Sequence, residues 1–317
     1  MTTDRSTETA VERADIVIAR DRIRGHIRTT PVVETGAGSF GIDTPLTLKL
    51  ELLQHTGSFK PRGAFNKVLA SDVPDAGVIA ASGGNFGFAV AYAARTLGHR
   101  AEIFVPDTSP AAKIDRIREQ GAHVHVVSGY YPEAAVAASA RQAETGALAM
   151  HPFDQPEVVA GGGTIGKELT EQVPDADTIL VAVGGGGLIA GVASWFRGAV
   201  RVVGVEPEGC PSMHAALAAG EPVDADVGGI AADALGTRRV GEIAFAAAVR
   251  WVDQVVLVSD DAIRDAQRRL WRDVHVIAEP GGAACLAAVI AGAYRPSDGE
   301  RVVVLVCGAN ADPATVV

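Results

Sequence analysis

The chain has 317 residues, 48% hydrophobic and 21% charged, enough for a sizeable core in one large α/β unit or two domains. A formal charge of -10 with a pI near 5.3 excludes the basic face that a nucleic acid or an acidic membrane would need. Cys210, Cys285 and Cys307 are odd in number and outside any CxxC spacing, which fits a reducing compartment and argues against a disulfide framework or a zinc site. The opening run from Met1 to Glu8 is polar and acidic, and no apolar run reaches the ~18 residues of a spanning helix. No export or insertion signal is visible, so a cytoplasmic protein is expected.

Along the chain, apolar stretches of strand length alternate with stretches of helical period, the pattern of parallel sheets flanked by helices and therefore of an α/β fold. The predicted strands are 46–50, 77–80, 101–105, 123–127, 179–183, 200–205, 255–258 and 301–306. The predicted helices include 85–97, 111–120, 131–145 and 260–271, the first three followed by Gly98, Gly121 and Gly146 as stop signals. No linker or low-complexity tract interrupts them, so a second domain would be inserted through close crossings.

Between the first two strands lies the segment Glu51 to Gly63, ELLQHTGSFKPRG. Lys60 follows a Thr-Gly-Ser turn and precedes Pro61 and Gly63, a context that fixes where its amine points. An amine held out of water and partly neutral can form a Schiff base with an aldehyde. Next comes Ser82-Gly83-Gly84-Asn85-Phe86-Gly87, after a strand and at the start of a helix. Its hydroxyl, amide and main-chain donors suit a carboxylate or a phenolate oxygen.

Two further glycine clusters compete for a phosphate. Gly161-Gly-Gly-Thr-Ile-Gly166-Lys167-Glu168 nearly matches the phosphate loop of nucleotide hydrolases, but Glu168 stands where a hydroxyl should hold magnesium. It reads as a turn into a helix packed closely on the sheet. The run Gly184-Gly185-Gly186-Gly187-Leu188 follows a buried strand and opens a helix, so its N–H groups and helix dipole suit an anion. Gly185, Gly187 and Ala190, with Glu206 further on, also fit a dinucleotide fingerprint. Four consecutive glycines in mid-chain favour a simpler phosphate-bearing ligand over NAD.

Taken with Lys60, these segments resemble, over nearly the whole chain and in the same order, the serine and threonine dehydratases, which belong to the fold type II pyridoxal phosphate enzymes and include serine racemase. The resemblance implies a tryptophan synthase β-like fold of two open twisted sheets flanked by helices. It places a large cofactor domain at residues 1–76 and 155–317 and a small inserted domain at 77–154 that closes on the substrate. By the same likeness Lys60 holds pyridoxal 5'-phosphate as a Schiff base, Phe59 packs at the ring, Asn85 meets the ring hydroxyl and Gly184 to Leu188 cradle the phosphate. Cys307 then lies beside the pyridine nitrogen, and Ser82, Gly83, Gly84, Asn85 and Phe86 meet an amino-acid substrate. A neutral thiol at the ring nitrogen delocalises the carbanion less than an aspartate would and favours β-elimination over transamination.

The implied activity converts L-threonine, L-serine or a related β-hydroxy amino acid such as 3-hydroxyaspartate to a 2-oxo acid and ammonia, in a homodimer, with Lys60 as general base. β-Replacement, serine racemisation and a catalytically silent homologue are the alternatives. Gly83 stands where racemases carry a second acid/base serine, which favours dehydration. Phe86 replaces the family's commonest histidine. Ser212 replaces an aspartate in the stretch of Glu206, Cys210 and Ser212 that matches a cation site of relatives, so no metal is assigned. Glu279, before Pro280-Gly-Gly, matches a family acid near the cofactor, although a helix-start carboxylate is the simpler account, and His123 and His125 read as sheet residues. The chain ends soon after Asn310, so no C-terminal regulatory domain is expected.

Overall fold

The computed structural model describes residues 10–316, and the polar run at Met1 to Glu8 lies outside them. The strands among the described residues are β1 (Val32–Thr35), β2 (Leu46–Lys49), β3 (Val78–Ala81), β4 (Ala101–Pro106), β5 (His123–Val127), β6 (Leu148–Met150), β7 (Thr178–Ala182), β8 (Arg201–Pro207), β9 (Gln254–Val258) and β10 (Val302–Leu305). The helices are α1 (Arg13–Ile23), α2 (Pro61–Leu69), α3 (Asn85–Leu97), α4 (Ala111–Arg118), α5 (Tyr131–Thr145), α6 (Pro156–Gln172), α7 (Gly187–Phe196), α8 (Ser212–Ala219), α9 (Ala232–Leu235), α10 (Glu242–Trp251), α11 (Asp260–Val274) and α12 (Pro280–Ile290).

Val, Ile and Leu fill β7 and β10, which are buried along their whole length, as central parallel strands covered on both faces must be. They form the middle of a six-stranded sheet ordered β1-β2-β10-β7-β8-β9, parallel except for the antiparallel pair β1 and β2. A second sheet, ordered β5-β4-β3-β6, is parallel throughout. Hydrophobic periodicity did not reveal β1 and β6, because four and three residues carry too little pattern and their pairing partners decide them.

The glycine cluster at Gly161 to Gly166 is not a turn into a helix: it lies inside α6, whose N-cap is Gln155. Helical glycine costs roughly 1 kcal/mol against alanine, and here close backbone packing demands it. A Cβ on Gly161 would lie 2.4 Å from the Arg62 carbonyl oxygen, and one on Gly163 would lie 2.8 Å from that of Gly191. So at these glycines α6 presses on α2 and α7.

Candidate active site

Lys60 is the N-cap of α2, with Pro61 at the first helical position, where its missing N–H costs nothing. The stretch before it, two short 3-10 turns at Glu51–Leu53 and His55–Gly57, is tied to the chain that leaves β10: Leu52 N–H donates to the Val306 carbonyl, Phe59 N–H to that of Cys307, and Ala309 N–H to that of Gly57. Ser58 and Gly308 form an isolated antiparallel bridge. Gly57 adopts φ +70° and Thr56 φ +60°, so the turn bends sharply to bring Lys60 over the end of the sheet.

Both ends of this segment are anchored below by a buried charge network that the sequence motifs did not reveal. The Arg62 guanidinium forms a fork to Glu51, with Nε to Oε2 and Nη2 to Oε1 both at 2.8 Å. It also reaches Glu168 at 2.8 and 2.9 Å and Thr164 at 3.1 Å. Lys49 Nζ completes the set at 2.9 Å from Glu168 and 2.7 Å from Gln172. Two cations and two carboxylates, all essentially without solvent exposure, therefore balance. Burial opposes the charged form of Glu168, but Arg62 and Lys49 outweigh it and hold its pKa below the usual carboxylate value. Glu168, the residue that spoiled the nucleotide-loop match, belongs to this network.

Above it, Lys60 Nζ donates to the Pro152 carbonyl at 3.1 Å and sits 5.0 Å from the Phe59 ring centroid and 5.7 Å from that of Phe86. The surrounding protein strips water from the amine and lowers its pKa to about 8, against the opposing pull of Cys307 and Glu279. Burial also pushes the Cys307 thiol up to about 12, so this sulfur is a neutral thiol, donating weakly to the Gly281 carbonyl at 3.5 Å. Phe86 is buried in the core of the smaller sheet and lends its face to the cleft.

Pro152 and Phe153 connect Lys60 to the glycine run. A Cβ on Gly185 would fall 2.2 Å from the Phe153 ring, and one on Gly187 would lie 2.7 Å from the Phe153 carbonyl oxygen. Among the described residues no protein acceptor meets the N–H groups of Gly185, Gly186 and Gly187. Gly186, at φ +86°, is the N-cap of α7, and Leu188 lies buried in its first turn. The result is a concave backbone surface at a helix N-terminus, an anion cradle with no room for side chains. Ser212 Oγ braces it from behind, 3.3 Å from the Gly184 carbonyl oxygen.

Asn85 opens α3 behind Gly84, its N-cap, and donates to Glu279 Oε1 at 2.6 Å. Glu279 is therefore more than a helix-start carboxylate: it is the N-cap residue of α12, but its side chain makes no capping hydrogen bond and turns instead to Asn85 in the cleft. Burial raises its pKa, opposed by Asn85, Lys113 and Lys60. Ser82 Oγ accepts from Gly84 N–H at 3.4 Å. Gly83 faces Ser109, whose Oγ would lie 2.2 Å from a Cβ placed there. Lys113 of α4 ion-pairs with Asp233 of α9 across the same opening. Glu206 is the penultimate residue of β8, and its two oxygens accept from Met213 and His214 N–H at 2.7 and 2.8 Å; burial raises its pKa to about 7. His123 and His125 lie on β5.

A family model described as pyridoxal-phosphate dependent enzyme matches residues 23–308. The chain belongs to this family. It is 37% identical to the L-threonine ammonia-lyase of Thermotoga maritima, over 94% of this chain and 75% of the relative. It is 36% identical to the phenylserine dehydratase of Ralstonia pickettii, over 99% of this chain and 97% of the relative. Among solved structures, maize serine racemase superposes with a TM-score of 0.91 at 32% identity, over 97% and 96% of the two chains, so the fold is that of the fold type II pyridoxal phosphate enzymes.

The residues present fit such a cofactor. The cradle offers N–H donors unpaired among the described residues, which suits a phosphate, and a partly neutral lysine stands two residues beyond Ser58, whose buried hydroxyl, like that of Thr56, has no partner among the described residues. The structure thus brings together Lys60, Phe59, Phe86, Asn85, Cys307 and, through Phe153, Gly184 to Leu188. Pro152, Phe153 and the Arg62 network were missed, because no local spacing marks a residue whose role depends on partners far away in sequence, and for Glu279 the simpler helix-start account gives way to the family match that put an acid near the cofactor.

Proposed function

We propose that this enzyme is a dehydratase that eliminates water from a β-hydroxy amino acid, the resulting enamine then taking up water through its imine to give a 2-oxo acid and ammonia. The observation that carries the reading is the convergence on one amine: Lys60 Nζ, at a pKa of about 8, lies between the rings of Phe59 and Phe86, close to a neutral Cys307 thiol and within one residue's reach of the glycine cradle. In this reading Gly184 to Leu188 hold the cofactor phosphate, Asn85 the ring oxygen, Phe59 the ring face and Cys307 the ring nitrogen. When bound, pyridoxal 5'-phosphate supplies the electron sink for charge developing at Cα.

The chain's own groups do the rest. Lys60, freed as a neutral amine in a pocket of low polarity, takes the α-proton. The Ser82 to Gly84 loop, at the N-terminus of α3, binds the substrate carboxylate. Gly83 has no proton to deliver from the opposite face, so charge at Cα is discharged by loss of the β-hydroxyl rather than by reprotonation. Rapid interconversion of L- and D-serine would contradict this point. The strands of the smaller sheet all fall within residues 77–154, which supports their reading as an inserted domain that closes over the substrate. A cytoplasmic homodimer completes the proposal, supported by the family likeness and the three free, buried cysteines.

The Phe86 ring and the likeness to a phenylserine dehydratase along nearly its whole length favour a β-carbon bearing an apolar group. L-threonine and L-threo-phenylserine are accordingly expected to exceed L-serine in kcat/KM, by about fourfold per methylene-sized increment buried. The test is 2-oxo acid release from threonine, serine, phenylserine and 3-hydroxyaspartate, with Lys60→Ala as control. Lys60→Ala should bind no cofactor covalently and release no 2-oxo acid. A wild-type protein that takes up pyridoxal phosphate yet releases 2-oxo acid from none of the panel would refute the dehydratase assignment.

A further inference from the structure

The Asn85 side-chain amide is held at both ends. Its Oδ1 accepts from Asn310 Nδ2 at 2.7 Å, and its Nδ2 donates to Glu279 Oε1 at 2.6 Å. Asn310 Nδ2 also donates to the Thr56 carbonyl at 2.8 Å, so both of its N–H groups are committed and its own orientation is settled. The carboxamide has one oxygen and two N–H groups. With the oxygen taken by Asn310 and one N–H by Glu279, Asn85 keeps a single N–H for a ligand. The flipped amide would set oxygen against the Glu279 carboxylate and nitrogen against the Asn310 nitrogen, unfavourable on both sides.

Two glycines make room for this chain of polar side chains. A Cβ on Gly308 would lie 2.0 Å from Glu279 Oε1, and one on Gly57 would lie 2.9 Å from Asn310 Oδ1. Asn310 comes from the segment after β10 and Thr56 from the turn before Lys60. The network therefore couples the orientation of Asn85, on α3, to the lysine turn of the other sheet.

We propose that Asn310 is a positioning residue: it locks the Asn85 amide so that its remaining N–H, and not its carbonyl, is offered to the ring oxygen of the cofactor. This rests on the reading of Asn85 as the ring-oxygen contact. An N–H donor favours that oxygen as an anion, so the lock selects the deprotonated ring.

The test compares the affinity of the cofactor-free protein for pyridoxal 5'-phosphate and for its 3-deoxy analogue, which lacks the ring oxygen, by absorbance titration. Wild type, Asn85→Ala, Asn310→Ala and the isosteric Asn310→Asp are titrated, with urea unfolding to establish that each variant folds. The quantity read is the preference ratio between the two cofactors. A hydrogen bond to a charged oxygen implies that Asn85→Ala lowers the ratio by about tenfold. Asn310→Ala should lower it at least about fivefold while leaving affinity for the 3-deoxy analogue within about twofold, and Asn310→Asp should lower it as much or more. A ratio unchanged in both Asn310 variants, or an equal loss of affinity for both cofactors, overturns the positioning role alone. A ratio unchanged in Asn85→Ala overturns the ring-oxygen contact and the positioning role with it.

Discussion

Replacing Arg62 by methionine tests the physical basis of the whole site, because the guanidinium carries half of the positive charge in the network beneath Lys60. The substitution removes five hydrogen bonds, from Nε and Nη2 to Glu51, from Nη1 and Nη2 to Glu168, and from Nη1 to Thr164. It leaves Glu51 and Glu168 facing Lys49 alone, a net charge of -1 with no access to water. Removing one partner of a buried ion pair costs about 3–5 kcal/mol, mostly from the charge left behind. That is a large part of the roughly 5–15 kcal/mol that holds a typical protein folded, and it corresponds to a fall in Tm on the order of 10 °C. Urea and thermal unfolding followed by circular dichroism measure the loss. Arg62→Met with Glu168→Gln removes one carboxylate charge as well, leaving Lys49 to balance Glu51, and should recover more than about 1 kcal/mol of it. A loss below about 1 kcal/mol for Arg62→Met, or a double variant no more stable than the single one, would refute the charge-balance reasoning.

Other expectations follow from the cleft. Covalent uptake of pyridoxal phosphate by the cofactor-free protein requires neutral Lys60, so its rate should rise about tenfold from pH 7 to a plateau above pH 9, with a midpoint near the pKa of about 8; a midpoint near 10.5 would contradict the burial argument. Between those two values the unfolded chain binds more protons than the folded one, so stability of the cofactor-free protein gains a contribution from Lys60 as pH rises from 8 to 10.5, measurable by urea unfolding at each pH. Gly185→Ala drives a methyl into the Phe153 ring, 2.2 Å away, and should weaken cofactor affinity by more than about tenfold in an equilibrium titration. Affinity equal to wild type would show that the cradle is not shaped as described.

Much of this enzyme is legible in its sequence, for a reason that lies in the range of the forces involved. Strand, glycine turn and helix succeed one another locally at Ile179 to Ala190, and backbone geometry alone makes that segment suited to an anion. The helix at 85–97 follows from apolar period and a closing glycine, and it forms with those bounds. Lys60 stands out because its turn, proline and glycine are neighbours. The alternation of strands and helices similarly determined an α/β fold. Where patterns are short or double-valued they fail: β1 is four residues long, and the glycines at Gly161 to Gly166 suit a turn or a tightly packed helix equally until α2 and α7 are in place.

Tertiary structure alone decided the environment of each group. The amine of Lys60 has a pKa of about 8 because chain segments ending at Phe59, Phe86 and Pro152 meet around it. Asn310 orients Asn85 across 225 residues, and Arg62 joins Glu168 across 106. Burial and hydrogen-bond direction are properties of what surrounds a side chain, and for these residues the surroundings come from distant parts of the chain. Residue type therefore announced which chemistry was available, and only the packed arrangement determined which groups are charged, which are neutral and which way they point.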